Sequence, residues 1–137
     1  MKASSPHRIL NPSSLAKPSG FSHVVVPTPG RIVHVAGQIG QRQDGSLAGS
    51  SVVDQFDQAC ANVVEALISA GARPELLVTM QIYVTALAEY RSSLHDLGKV
   101  WQKHFGKHYP AVSLFEVSGL FEPGAKVELV CTAVIPG

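Results

Sequence analysis

The feature that most constrains the fold is a strand-forming segment near the end of the chain, residues 127–135, which is largely apolar at both of its alternating sets of positions. Successive side chains of a strand point to opposite faces of a sheet, so both faces around this segment must be covered. Residues 32–36 repeat the pattern, with His34 as the exception. The sheet that contains these segments therefore needs a packing layer on each side.

Two helical patterns are available to form those layers. The first begins with the Ser-x-x-acid pair Ser51 and Asp54 and keeps apolar residues at helical spacing until Gly71. The second places apolar residues on one helical stripe over residues 90–105. Two helices cover one face of such a sheet, so we predict that the other face packs against further copies of the chain in a homo-oligomer.

The rest of the chain contains strand patterns and a polar N-terminal segment. Alternating or β-branched segments predict further strands at residues 21–26, 77–85 and 112–117. Together these elements give an α+β fold in the order β-β-α-β-α-β-β. Residues 1–18 are rich in Ser, Asn and Pro and lack apolar periodicity, so we predict a flexible arm followed by a single domain over residues 19–137.

Composition limits the function classes. The chain has 137 residues, of which 15% are charged, against about 25% in an average soluble domain, which agrees with a surface partly covered by other subunits. The formal net charge of +1 gives no broad field that would attract nucleic acid. No apolar segment is long enough to span a membrane, and the two cysteines lie in apolar patterns typical of reduced thiols. We predict a cytoplasmic protein without a membrane or nucleic-acid partner.

No metal or other cofactor is predicted. His104 and His108 have the i, i+4 spacing of a helical ligand pair. Gly106 should end the helix between them, and the chain has no HExxH motif. A surface histidine pair is the better interpretation.

Five separated segments carry a resemblance to a known family. In chain order they are Gly20-Phe21-Ser22-His23, Val35-Ala36-Gly37-Gln38-Ile39, residues 78–85, Pro110-Ala111 with the strand that follows, and Lys126-Val127-Glu128. In this order and spacing the chain resembles the RidA/YjgF family, also called L-PSP endoribonuclease-like. The resemblance implies a chorismate-mutase-like fold, a homotrimer whose sheets pack as a barrel, and small-molecule sites in the clefts between subunits.

Three positions depart from the family pattern, and all three lose polarity. Val112 stands where the family has an arginine that binds the substrate carboxylate, Leu114 where many members have cysteine, and Phe21 where many have tyrosine. An arginine offers a planar set of donors that matches a carboxylate, whereas a valine side chain offers no donor. A substrate that needs no carboxylate contact is therefore favoured.

Glu128 is the predicted catalytic residue. Its strand neighbours are apolar, so its carboxylate would be drawn out of water and suited to general acid or base work. The resemblance gives it the role of holding the water that attacks an imine. The alternative is a carboxylate at a subunit contact, paired with a backbone donor or a lysine.

The predicted ligand-binding residues are Phe21, His23, Gly37, Val112, Ser113 and Leu114. Gly37 lacks a Cβ and would let backbone amides approach a ligand, with a strand-end turn as the alternative. Ser113 would offer a hydroxyl, although without a His/Asp relay it is no nucleophile. His23 and His34 lie in predicted strands near the cleft, and His23 is preferred because it belongs to a matching segment.

These observations predict a trimeric protein that binds a small molecule at the subunit interface and hydrolyses imines or enamines of a kind that needs no carboxylate contact. Two alternatives stay open. One is the family's deaminase activity on 2-iminobutanoate or 2-aminoacrylate, weakened by Val112; the other is a ligand-sensing or interaction protein without catalysis.

Overall fold

The computed structural model describes residues 4–137. The strands in this part of the chain are β1 (Arg8–Leu10), β2 (Val24–Val26), β3 (Gly30–Ile39), β4 (Leu77–Val84), β5 (Ala111–Glu116) and β6 (Val127–Pro136). The helices are α1 (Val52–Ser69), α2 (Leu87–Ser92) and α3 (Leu94–Phe105), and a short 3-10 helix, Pro74–Leu76, precedes β4.

Strands β3, β6, β4 and β5 form the main sheet, in that order. The β3–β6 and β6–β4 pairs are antiparallel, whereas β4 and β5 are parallel, so the sheet is mixed. Helices α1 and α3 pack against each other, and α1 packs on β3 and β6. The predicted α+β fold, a mixed sheet with its helices on one face, is confirmed.

Helix α1 begins and ends where the sequence pattern predicts. The Ser51 hydroxyl accepts a hydrogen bond from the Asp54 amide at 3.1 Å, which satisfies one free donor of the first turn. Gly71 follows the helix with a φ of 78°, a conformation that glycine adopts without strain. The apolar stripe between these ends is buried against the sheet and includes Phe56, Ala59, Cys60, Val63 and Leu67.

The second helical pattern is divided at Ser93 into α2 and α3. Ser93 has φ −108° and ψ 11°, outside the helical region, and its hydroxyl donates to the Glu89 carbonyl at 2.8 Å. This local bond competes with continuation of the helix. Helix α3 then presents Leu97, Trp101 and Phe105 to the core, as the stripe predicts.

The N-terminal segment contains a strand that the sequence did not predict. Strand β1 pairs antiparallel with β2. The buried His7 side chain lies just before it, with Nε2 donating to the Leu76 carbonyl at 3.0 Å and Nδ1 accepting the Thr28 amide at 3.1 Å. The mobility of residues 1–18 and the boundary at residue 19 stay predictions, and these contacts favour attachment at residues 7–10.

Gln55 joins three parts of the chain at the entry to β6. Its side chain is fully buried. Nε2 donates to the carbonyls of Gly49 and Gly124, both at 3.1 Å, and Oε1 accepts the Lys126 amide at 2.7 Å. This network fixes where β6 begins and hence the position of Glu128 along the strand.

The two faces of the sheet differ in burial. Met80 and Leu129 on the helical face are fully buried, whereas Ile32 and Phe115 on the other face are 63% and 49% exposed. Large apolar side chains exposed in this way favour contact with another molecule at this face. In the described part of the chain, no helix is both long and apolar enough to cross a membrane.

Candidate functional site

A cavity of about 630 Å³ lies between helix α3 and strand β5. Its lining comes from α1, α2, α3, β4 and β5, and from the loops that precede β2 and β5. Both its volume and its predominantly apolar lining are typical of small-molecule sites.

Alternation along β5 places Val112 and Leu114 in this cavity. They pair with Met80 and Ile82 of β4, which belong to the core, and so point to the helical face. Phe21 reaches the same cavity from its loop. The loop is held at the start of β5 because the Ser22 amide donates to the Pro110 carbonyl at 3.0 Å.

Aromatic side chains form much of the remaining lining. Trp101 is held in place by a hydrogen bond from its indole Nε1 to the His108 carbonyl at 3.1 Å, and it stacks on Tyr109 with ring centroids 6.0 Å apart. Tyr90 packs edge-to-face on Phe56 at 6.4 Å. The cavity therefore presents fixed ring faces and edges.

Only neutral polar groups accompany these rings. Among the described residues that line the cavity, none is an acid, a lysine, an arginine or a histidine. Burial, followed by the nearby Cys60 thiol, raises the pKa of Tyr90 to about 12, so its hydroxyl stays protonated at neutral pH. The site offers hydroxyl and amide donors to a ligand but no positive charge.

Glu128 and Gly37 lie together on the opposite face of the sheet. Glu128 of β6 is half-buried and faces Ile39 of β3, next to an irregularity in the strand pairing between Val35 and Gln38. A Cβ added to Gly37 would lie 2.2 Å from Oε2 of Glu128. Gly37 therefore keeps space for this carboxylate, and the approach of a ligand to the Gly37 backbone stays a prediction.

The Glu128 carboxylate has no hydrogen-bond or ion-pair partner within residues 4–137. The nearby Lys126 pairs instead with Glu89 at 2.6 Å. The alternative in which a lysine of the same chain neutralises Glu128 is therefore not realised in one protomer. Both oxygens of this half-buried carboxylate are therefore available to water or to a ligand.

The family model for Endoribonuclease L-PSP matches residues 12–135. The chain belongs to this family. The RidA/YjgF membership predicted from the sequence segments is confirmed.

Two characterised relatives carry deaminase names. Reactive Intermediate Deaminase A, chloroplastic, of Arabidopsis thaliana is 29% identical over 105 residues, which cover 76% of this chain and 54% of that protein. The 2-iminobutanoate/2-iminopropanoate deaminase of Capra hircus is 28% identical over 105 residues, 76% of this chain and 73% of its own length. The chain thus spans about half the length of the plant relative.

A solved structure supports the same assignment. The Rid family protein YyfB from Yersinia pestis, whose function is unknown, superposes with a TM-score of 0.81 at 31% identity. The match covers 94% of this chain and 98% of that one. Likeness of this extent shows that the chain has the Rid fold over nearly its full length.

Within this Rid fold, one protomer divides the predicted site residues between two places. Phe21, Val112 and Leu114 share the cavity on the helical face, whereas Glu128 and Gly37 lie on the open face. In one protomer, neither Glu128 nor Gly37 lines the cavity that contains Val112. A shared cleft therefore requires the helical face of one protomer to meet the open face of another.

The remaining predicted residues lie around these two places. Ser113 and His23 line a smaller cleft of about 300 Å³ that shares Phe21 and Val112 with the main cavity. The His23 ring is hydrogen-bonded through Nε2 to the Ala16 carbonyl at 2.7 Å, so this side chain holds the N-terminal segment in place. His34 is exposed on the open face of β3, away from both clefts.

Sequence reasoning missed most of the residues that line the cavity, and four of them bear on what it can bind. Tyr90 and Trp101 were assigned to the core alone, and Tyr109 and Gly98 received no role, yet all four line the cavity. One signal was available: Gly98 interrupts the apolar stripe of the second helix, where glycine is a poor helix former.

Proposed function

We propose that this chain is a homotrimeric Rid protein that hydrolyses neutral imines or enamines in a cleft between subunits. The observation that carries the proposal is the uncharged cavity over Val112, which offers no cation to a substrate carboxylate. Two relatives named as deaminases support the reaction type. The substrate in this proposal has an apolar group where those named substrates have a carboxylate.

In this mechanism, the cavity of one protomer holds the apolar part of the substrate and directs the C=N group toward Glu128 of its neighbour. Glu128 takes a proton from water as the water oxygen bonds to the imine carbon. The carboxyl group then gives this proton to nitrogen, which completes a carbinolamine. Glu128 next takes the hydroxyl proton and passes it to nitrogen as the C–N bond breaks, so ammonia departs and a carbonyl compound remains. The unpaired state of Glu128 and the space kept by Gly37 support this role.

A matched pair of substrates tests the proposal. An amine oxidase generates the imine of butanone from 2-aminobutane in the assay mixture. This imine differs from 2-iminobutanoate only by a methyl group in the position of the carboxylate. Semicarbazide traps whatever imine the protein leaves. We expect the wild-type protein to accelerate hydrolysis of the neutral imine and to have little effect on 2-iminobutanoate, and we expect Glu128→Gln to remove the acceleration.

Variants at Val112 separate charge from size. Val112→Arg should gain binding of 2-oxobutanoate by about tenfold or more, because one charge-assisted pair is worth about 1.5–3 kcal/mol. Val112→Gln, which is long but neutral, should not. A wild-type protein that hydrolyses 2-iminobutanoate as well as the neutral imine would contradict the proposal and favour the family's deaminase activity.

A further inference from the structure

Gly98 is the residue of α3 that the fold does not explain. It lies inside a helix of 12 residues, where glycine is unfavourable compared with alanine. A Cβ built on Gly98 would meet no atom within 4 Å, so no neighbouring element requires the missing side chain. Its φ is not positive, so backbone conformation does not require glycine either.

The position of Gly98 at the cavity explains why a glycine occurs inside this helix. It lines the cavity at the exposed edge of α3, one helical turn before Gln102 and next to the buried Leu97. Any larger side chain here would extend into the opening. Gly98 thus widens the entrance to a space that is lined in part by aromatic side chains.

We propose that the cavity binds a neutral aryl ketone or the corresponding imine, with the ring seated against Gly98 and Trp101. This inference rests on the proposed function in taking the cavity as the ligand site. Ring-on-ring contacts with Trp101, Tyr109 and Phe21 favour an aromatic over an aliphatic group of equal size. The hydroxyls of Tyr90 and Tyr109 have no hydrogen-bond partner among the described residues, which leaves them free to donate to the ligand's oxygen or nitrogen.

The charge of the lining decides against aryl keto acids. A carboxylate moved from water into this uncharged, largely apolar space would lose hydration without gaining an ion pair. Acetophenone and benzoylformate make this comparison directly, because they share a phenyl ketone and differ by a methyl group or a carboxylate. Acetophenone should bind at least tenfold more tightly.

Binding of both compounds is measured by calorimetry and by ligand-detected NMR on the full chain. Gly98→Leu should weaken acetophenone binding at least tenfold, because its side chain occupies the opening. Gly98→Ala is the matched control and should change binding less than about threefold, since its Cβ meets open space. Both variants should unfold at the wild-type temperature or above, because each replaces a helical glycine with a better helix former.

Two results would overturn the inference: equal affinity for acetophenone and benzoylformate, or unchanged acetophenone binding by a folded Gly98→Leu variant. Failure of the proposed function would look different. Acetophenone binding that is selective and lost in Gly98→Leu, without hydrolysis of any imine, supports the ligand class and contradicts the enzyme. Hydrolysis of the butanone imine without preference for aryl compounds contradicts the ligand class alone.

Discussion

The position of the Glu128 carboxylate depends on Gly37 of strand β3, which carries a hydrogen atom in place of a side chain. With glycine at position 37, the carboxylate approaches the backbone of β3 closely. Any side chain at this position would occupy the space of Oε2. The geometry of the proposed catalytic group is therefore set by a residue that carries no functional group.

Gly37→Ala should impair hydrolysis while leaving the fold intact. The new Cβ would lie 2.2 Å from Oε2, but that atom ends a flexible side chain, so the carboxylate moves and the backbone does not. We expect the hydrolysis rate to fall by about tenfold or more, the cost of a misplaced catalytic group. Imine-trapping kinetics and thermal unfolding measure the two effects.

Gly119→Ala is the matched control, because its added Cβ would contact nothing within 4 Å and its φ is not positive. It should keep wild-type kinetics. Full activity of Gly37→Ala would show that Glu128 needs no defined position and would remove the support that Gly37 gives to its role.

At the scale of elements, one charged cluster connects the two long helices. Asp57 of α1 pairs with Lys103 and His104 of α3. Burial by itself would raise the pKa of Asp57, but hydrogen bonds from His104 and Lys103 and their charges outweigh it, so the pKa is lowered overall. A carboxyl whose pKa is lower in the folded state stabilises the fold above its unfolded pKa.

Asp57→Asn should therefore destabilise the protein at neutral pH and have little effect in acid. Because the Asp57 side chain is 39% exposed, the loss should be below about 1 kcal/mol at pH 7. The difference should shrink below the ordinary pKa of 3.8 and vanish once the folded-state carboxyl is protonated. Urea unfolding of both proteins from pH 7 to pH 3 measures this, with Glu65→Gln on α1 as the control. A difference that stays constant from pH 7 to pH 3 would assign the effect to packing.

Local patterns predicted the elements that local interactions determine. Helix α1 follows from the Ser51 cap, its apolar stripe and Gly71, and the alternation of β4 follows from its burial on one face. Strand β1 could not be found in this way. Its three residues depend on pairing with β2 and on the contact between His7 and the distant Leu76.

The sequence predicted which residues belong to the site better than it predicted how those residues are arranged in space. Val112 and Leu114 come together by alternation along β5, and Phe21 joins them because its loop is hydrogen-bonded to the start of β5. The contact between Gly37 and Glu128 depends on the register of β3 against β6 and its irregularity after Val35, which no local pattern specifies. The cavity itself arises from α3 packing beside β5, so its aromatic residues were indistinguishable from core in the sequence.

At the scale of the whole molecule, the open face of the sheet is the surface that assembly must cover. It presents Ile32 at the β3 edge and Phe115 near the β5 edge, both largely exposed in one protomer. Burial of such side chains contributes about 1.5–3 kcal/mol each. The proposed trimer accounts for this face and for the low charged fraction of the chain.

Ile32→Asp should reduce the mass measured by light scattering at micromolar concentration from that of a trimer toward that of a monomer. A carboxylate buried against another sheet would lose its hydration without a partner. Ile68→Asp is the matched control: Ile68 is 58% exposed on α1, on the helical side of the sheet, and should leave the mass unchanged. A wild-type protein that is a folded monomer would contradict the trimer and the site between subunits.

The separation of Val112 and Glu128 onto opposite faces of one sheet has a genetic consequence. If each site takes its cavity from one chain and its carboxylate from the next, Gly98→Leu and Glu128→Gln damage different halves of the site. Each variant alone should have strongly reduced activity. When the two are unfolded and reassembled together at equal amounts, random assortment gives about one quarter of the sites two intact halves. Mixing the two impaired variants should therefore restore activity, as in complementation between alleles of one gene. If the site were built within a single chain, no mixture of the two variants would regain activity.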